Sequence, residues 1–172
     1  IFSTGQAFAA LKNDGSVVTW GAEGAGGGGS IGWKKHNDYN NQDLINNLKS
    51  GVVEIFSNDS AFAALKNDGS VITWGGNYEP DGGYQRSFNG GGDSSSVKDK
   101  LTSGVKTIFS TGAAFAALKN DGSVITWGEG AAGGGGSTGY KKYNDYNNQD
   151  LVNSLKSGVV EIFSNDSAFA AL

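Results

Sequence analysis

One phrase governs what this chain can fold into, because it returns at nearly fixed spacing. "IFSTGQAFAALKNDGSVVTWG" starts at Ile1, "IFSNDSAFAALKNDGSVITWG" at Ile55 and "IFSTGAAFAALKNDGSVITWG" at Ile108, and the chain closes on "IFSNDSAFAAL" from Ile162 to Leu172. The starts lie 54, 53 and 54 residues apart. A second order overlies the first: residues 1–65 match residues 108–172 without a gap at 55 of 65 positions, so the duplicated block is a pair of units in which "STG" and "SND" forms alternate. The units run 1–54, 55–107 and 108–161, with the start of a fourth at 162–172.

Repeats of this length are propeller blades or solenoid coils, whose units bury their apolar faces on one another. Each unit reads as three strands and a short helix. "GVVEIFS" at Gly51–Ser57 is the first strand, "AFAAL" the second, and "SVVTW" or "SVITW" the third, ending at Trp20, Trp74 and Trp127. Val, Ile, Phe, Thr and Trp suit a crowded pleated surface. Alternation sends Phe62 and Ala64 to one side and Ala61, Ala63 and Leu65 to the other, so both faces are apolar and the sheet is expected to be covered on both. Phe8, Phe62, Phe115 and Phe169 with Trp20, Trp74 and Trp127 are the expected core stripe.

Between the second and third strands stands "KNDG". Asp and Asn can bond their own backbone there, and Gly15, Gly69 and Gly122 can take the left-handed conformation that closes a tight hairpin. Asp14, Asp68 and Asp121 are therefore turn residues, since each stands alone without a partner acid beside it. The helices follow the variable part, at Asn40–Gly51, Asp93–Gly104 and Asn147–Gly158. Each carries two apolar anchors four apart, Leu44 with Leu48, Val97 with Leu101 and Leu151 with Leu155, and ends on Gly. Helices of one or two turns depend on the sheet for stability.

The composition narrows the function. There are 17 acids against 13 bases, a net charge of -4 and no block of like charge, which gives no footprint for nucleic acid. Cys is absent, which removes thiol catalysis, disulfides and thiolate metal sites. No apolar run is long enough for a membrane span. With no Met, and an opening "IFSTG" that matches the interior "IFSND", the expectation is a piece of a longer polypeptide.

The "LKNDGSVVTWG" segment, preceded by "SGVVEIFSND" and followed by a Gly-rich loop, resembles the regulator of chromosome condensation repeat family, in particular its bacterial versions. The resemblance covers all three units. It implies an all-β fold with short helices: β-propeller blades of four strands, commonly seven to a ring, here as an incomplete arc or a repeating segment of a longer assembly. It also implies an extracellular or cell-surface setting, in very large repetitive proteins of marine bacteria and cyanobacteria. The founder's nucleotide exchange and chromatin binding belong to special loops and a basic tail that no stretch here resembles, and neither is carried over.

Chemistry, if present, is expected in the loops. Trp33 with Lys34, Lys35 and His36, and Tyr140 with Lys141, Lys142 and Tyr143, form an aromatic and basic patch suited to stacking on sugar rings or meeting an acidic surface. The alternative is aromatics packed over the next unit with solvated lysines. Asp38 and Asp43, repeated at Asp145 and Asp150, are the candidate calcium ligands, although turns and a helix cap explain the same residues. Gly26–Gly29 and Gly133–Gly136 lack the "GK[ST]" of a phosphate loop. His36 is the sole histidine and has no nucleophile to serve, so no enzyme is expected. Three readings of use remain: a self-associating or flanked structural module with no cofactor, a glycan- or protein-binding propeller, and, last, an enzyme.

Overall fold

The computed structural model describes residues 1–27, 41–78, 88–135 and 149–172. Each full unit is a three-stranded antiparallel meander among the described residues. The first sheet holds β1 (Phe2–Ser3), β2 (Ala7–Leu11) and β3 (Val17–Gly21), and the second β4 (Val52–Ser57), β5 (Ala61–Lys66) and β6 (Val71–Gly75). After a short hairpin of β7 (Asn77–Tyr78) and β8 (Phe88–Asn89), the third sheet holds β9 (Val105–Ser110), β10 (Ala114–Lys119) and β11 (Val124–Gly128). The fourth unit contributes β12 (Ile162–Ser164) and β13 (Phe169–Ala171). These are the strands expected from the repeat. The four strands per blade that the resemblance implies are not reached among the described residues.

The pleat sorts the side chains between two junctions. On one side of β5, Phe62 and Ala64 meet Ala7 and Ala9 of the first unit, while on the other Ala61, Ala63 and Leu65 meet Phe115, Ala117 and Trp127 of the third. The rule is large against small: the Phe and Trp of one unit fill the space left by the alanines of the unit before it, as close packing requires. Within each unit the Phe stands opposite the Trp across the hairpin, Phe8 to Trp20, Phe62 to Trp74 and Phe115 to Trp127.

A glycine of the preceding unit seals each inner pair. Gly26 and Gly91 sit at φ of 93° and 91°, and a Cβ on them would come within 2.8 Å and 2.6 Å of the Phe62 and Phe115 rings. Only a residue without a side chain can lie flat on the ring in that conformation. The carbonyl of Gly91 also accepts the Trp127 Nε1–H at 2.9 Å.

Phe62, Trp74, Phe115 and Trp127 are buried, and Phe169 is half-buried. Phe8 and Trp20 do not belong to the core: they are 45% and 43% exposed. No described unit covers the face of the sheet that carries them, which meets solvent, while the opposite face, with Ala7 and Ala9, packs on unit two.

Two helices are α1 (Asn41–Asn47) and α2 (Gln149–Ser154), and the middle one is a 3-10 helix over Ser95–Leu101. The "SSS" before Val97 explains the tighter winding, since serine side chains compete for the backbone and favour caps over helix interiors. Val97 and Leu101 are buried beneath it. Leu44 packs alongside Ile72 of the following unit, but Leu151, expected as an anchor, is exposed. No described strand covers Leu151, and of the pair only Leu155, just past the end of α2, is buried.

Candidate functional site at the axial rim

The fold brings the same tripeptide from every unit to one place. First strands of consecutive units are neighbours, β1 beside β4, β4 beside β9 and β9 beside β12. The loops that follow them, residues 3–5, 57–59, 110–112 and 164–166, therefore line a common open cavity of about 540 Å³. They are stitched in series. The Gly5 amide donates to the Asp59 carbonyl at 2.8 Å, the Asp59 amide to Gly112 at 3.3 Å and the Gly112 amide to Asp166 at 2.9 Å.

The middle residue of each tripeptide ties the rim to the blade. Thr4, Asn58, Thr111 and Asn165 each accept the amide three residues on, at 3.0, 2.8, 3.1 and 2.8 Å, capping the turn into the second strand. Three of them also reach a loop of their own unit. Thr4 and Thr111 donate to the Ala25 and Ala132 carbonyls at the ends of two matching 3-10 turns, whereas the longer Asn58 reaches Gly90 in the different loop of unit two. The Thr or Asn choice thus follows the loop it must hold.

The opposite end of each blade carries the "KNDG" turn. Gly15, Gly69 and Gly122 all sit at φ 76°, and the Asp14 carboxylate accepts both the amide and the hydroxyl of Ser16 at 2.9 and 2.6 Å. Those Ser16 bonds, hydroxyl first, hold the Asp14 carboxyl down to about 2, with Lys12 adding to the effect. Ser70 and Ser123 lower Asp68 and Asp121 in the same way. The turns also tie each hairpin to the segment that leads into the next sheet: the carbonyls of Gly15, Gly69 and Gly122 accept the amides of Val52, Val105 and Val159 at 3.1, 3.0 and 3.0 Å. Their chemistry is closure and docking.

Of the residues expected to bind ligand, Trp33, Lys34, Lys35, Tyr140, Lys141 and Lys142 lie outside the described residues, as do His36, Tyr143, Asp38 and Asp145. Asp43 and Asp150 are described, exposed and placed in the first turns of α1 and α2, where a carboxylate favours the helix N-terminus. Among the described residues no three acids or histidines gather as a metal site, and no helix is long and apolar enough to cross a membrane. The rim residues were missing from the sequence-derived candidates. Their signal was present in the "STG" and "SND" alternation, but spacing alone does not say that those loops converge.

Comparison with solved structures bears on the fold. Yeast RCC1 (Prp20), in a complex with Kap60, aligns over 98% of this chain and 40% of its own at a TM-score of 0.52 and 18% identity. The units have the fold of RCC1-type propeller blades. Prp20p of Saccharomyces cerevisiae, in a structure described with its binding to Gsp1p and histones, gives 0.49 at 18% identity, again over 98% and 40%. Human WBSCR16 gives 0.43 at 16% identity over 97% of this chain and 42% of its own. The chain spans about 40% of the length of these RCC1-type structures and is a partial propeller. No protein-family model and no curated protein matches the sequence.

Proposed function

We propose that the chain is a structural repeat module, a non-enzymatic scaffold whose partners are flanking units of the same kind or further copies of itself. The setting that fits is an extracellular or cell-surface assembly of fibre or sheath type, of bacterial origin. One observation carries the reading: the same junction recurs between consecutive units. A Gly carbonyl of the turn takes the Val amide that leads into the next sheet, and the alanine face of one sheet takes the aromatic face of the next. Near-identical units suit a surface that propagates. The sequence, with no Cys and one His, offers little for catalysis, and the reading needs no cofactor, calcium included.

A second reading is binding of a protein or glycan through Trp33, Lys34, Lys35, Tyr140, Lys141 and Lys142; that the similar yeast propeller is bound to Kap60 supports a protein partner in general. Sedimentation velocity and electron microscopy of the purified chain over a wide concentration range separate the two. The scaffold reading expects elongated particles that grow with concentration. A monomer at every concentration, whose capture of a protein or glycan is lost when Trp33 and Tyr140 become Ala, would overturn it in favour of the second.

A further inference from the structure

The unit junctions differ in one systematic respect, the third residue of the rim tripeptide. It is Gly5, Asp59, Gly112 and Asp166 in turn, and the rim hydrogen bonds run between these residues, so consecutive third residues lie against each other. Neither Gly5 nor Gly112 adopts the left-handed backbone that would demand glycine. What they provide is room.

A Cβ at position 112 would lie 3.2 Å from the Asp166 carbonyl oxygen and 3.2 Å from Oδ2 of Asp59. The first approach does not forbid a side chain. At the corresponding place in unit two Asp59 itself stands on the Gly112 carbonyl, with a bond of 3.3 Å against 2.8 and 2.9 Å where the donor is glycine. The second approach is the distinguishing one: the Asp59 side chain extends over the Cα of its Gly neighbour. An Asp at 112 would bring two carboxylates into contact at the rim of a cavity already lined by Asp166, and like charges that close repel.

We propose that the third rim residue is a pairing determinant: an Asp-type unit takes Gly-type units as its neighbours and rejects another Asp-type unit, whether that neighbour lies in the same chain or in a second one. The two-unit block of the sequence is then the smallest repeat that carries an Asp-type unit without a like-charged junction. A ring that keeps the alternation at every junction has an even number of units, and an odd ring avoids an Asp–Asp junction only by closing Gly-type on Gly-type. The inference rests on junction geometry and stands whether or not the chain builds a scaffold.

Thermal melts of the 172-residue chain test it, at about 0.01 M and about 1 M salt, where screening lengths differ roughly tenfold. Gly112→Asp is expected to lower Tm by on the order of 5 °C in low salt and to recover at least half of that loss in high salt. Gly112→Asn, of the same size without the charge, should lose less and show no recovery. The inverted variant Gly5→Asp, Asp59→Gly, Gly112→Asp and Asp166→Gly keeps the alternation in opposite phase and should melt within about 2 °C of the parent. If Gly112→Asp does not fold at all, the inverted variant still decides. The proposal is overturned if Gly112→Asp melts with the parent, if the Asp and Asn variants lose equally at both salts, or if inversion restores nothing.

Discussion

The Phe8–Trp20 and Phe115–Trp127 pairs are the same residues in the same register, yet one faces water and the other does not. Their rings stack alike, with centroids 5.6 and 5.4 Å apart and planes 17° and 26° from parallel. The first pair is nearly half exposed, whereas the second lies under unit two, with Gly91 flat on the Phe115 ring and accepting the indole N–H of Trp127. Stacking is therefore written into the hairpin, and burial is conferred by the neighbour. A blade of this kind has its shape on its own and its stability in company.

The largest expected effect exploits that contrast. Trp127→Ala should cost about 3–5 kcal/mol in urea unfolding, as the truncation of a fully buried aromatic does, and Trp20→Ala about 1 kcal/mol or less. Equal losses would break the comparison, because they would mean that the hairpin and not the junction supplies the stability.

The smallest effect should ignore position in the array. Asp14, with a carboxyl near 2 against an ordinary 3.8, contributes stability that is fully present above the ordinary value and is lost as the pH falls from about 4 towards 2. Asp68 and Asp121 are shifted in the same direction by the same Ser bonds. Carboxyl titrations followed by NMR should place all three midpoints below the ordinary value. Ser16→Ala should return Asp14 towards the ordinary carboxylate range while leaving Asp121 unmoved. A Ser16→Ala variant with an unmoved Asp14 would show that the turn bonds are not the cause.

The sequence carried the blade further than the site. Strands, turns and the cross-hairpin Phe–Trp pairs follow from alternation and from the left-handed Gly of "KNDG", which are local physics. Exposure of Phe8, Trp20 and Leu151 was not legible, because a residue's letter is the same whether or not a unit covers it. The 3-10 winding before Leu101 was within reach of a closer weighing of "SSS". For the rim, the alternation of Gly112 with Asp59 and Asp166 stood in plain view, but its meaning depends on loops more than fifty residues apart meeting at one axis, which is a property of the docked array.

The most direct test of the claim that junctions stabilise these blades is native-state hydrogen exchange, which resolves stability strand by strand. β2 and β10 are both central strands, and Phe8 and Ala9 of β2 are paired on both sides as Phe115 and Ala116 of β10 are, so at these positions the strand pairing matches while the cover differs. The account predicts that the amides of Phe115 and Ala116 in β10 exchange only through near-global opening, while those of Phe8 and Ala9 in β2 exchange markedly faster through local release of the first unit. Equal protection in the two strands would contradict it.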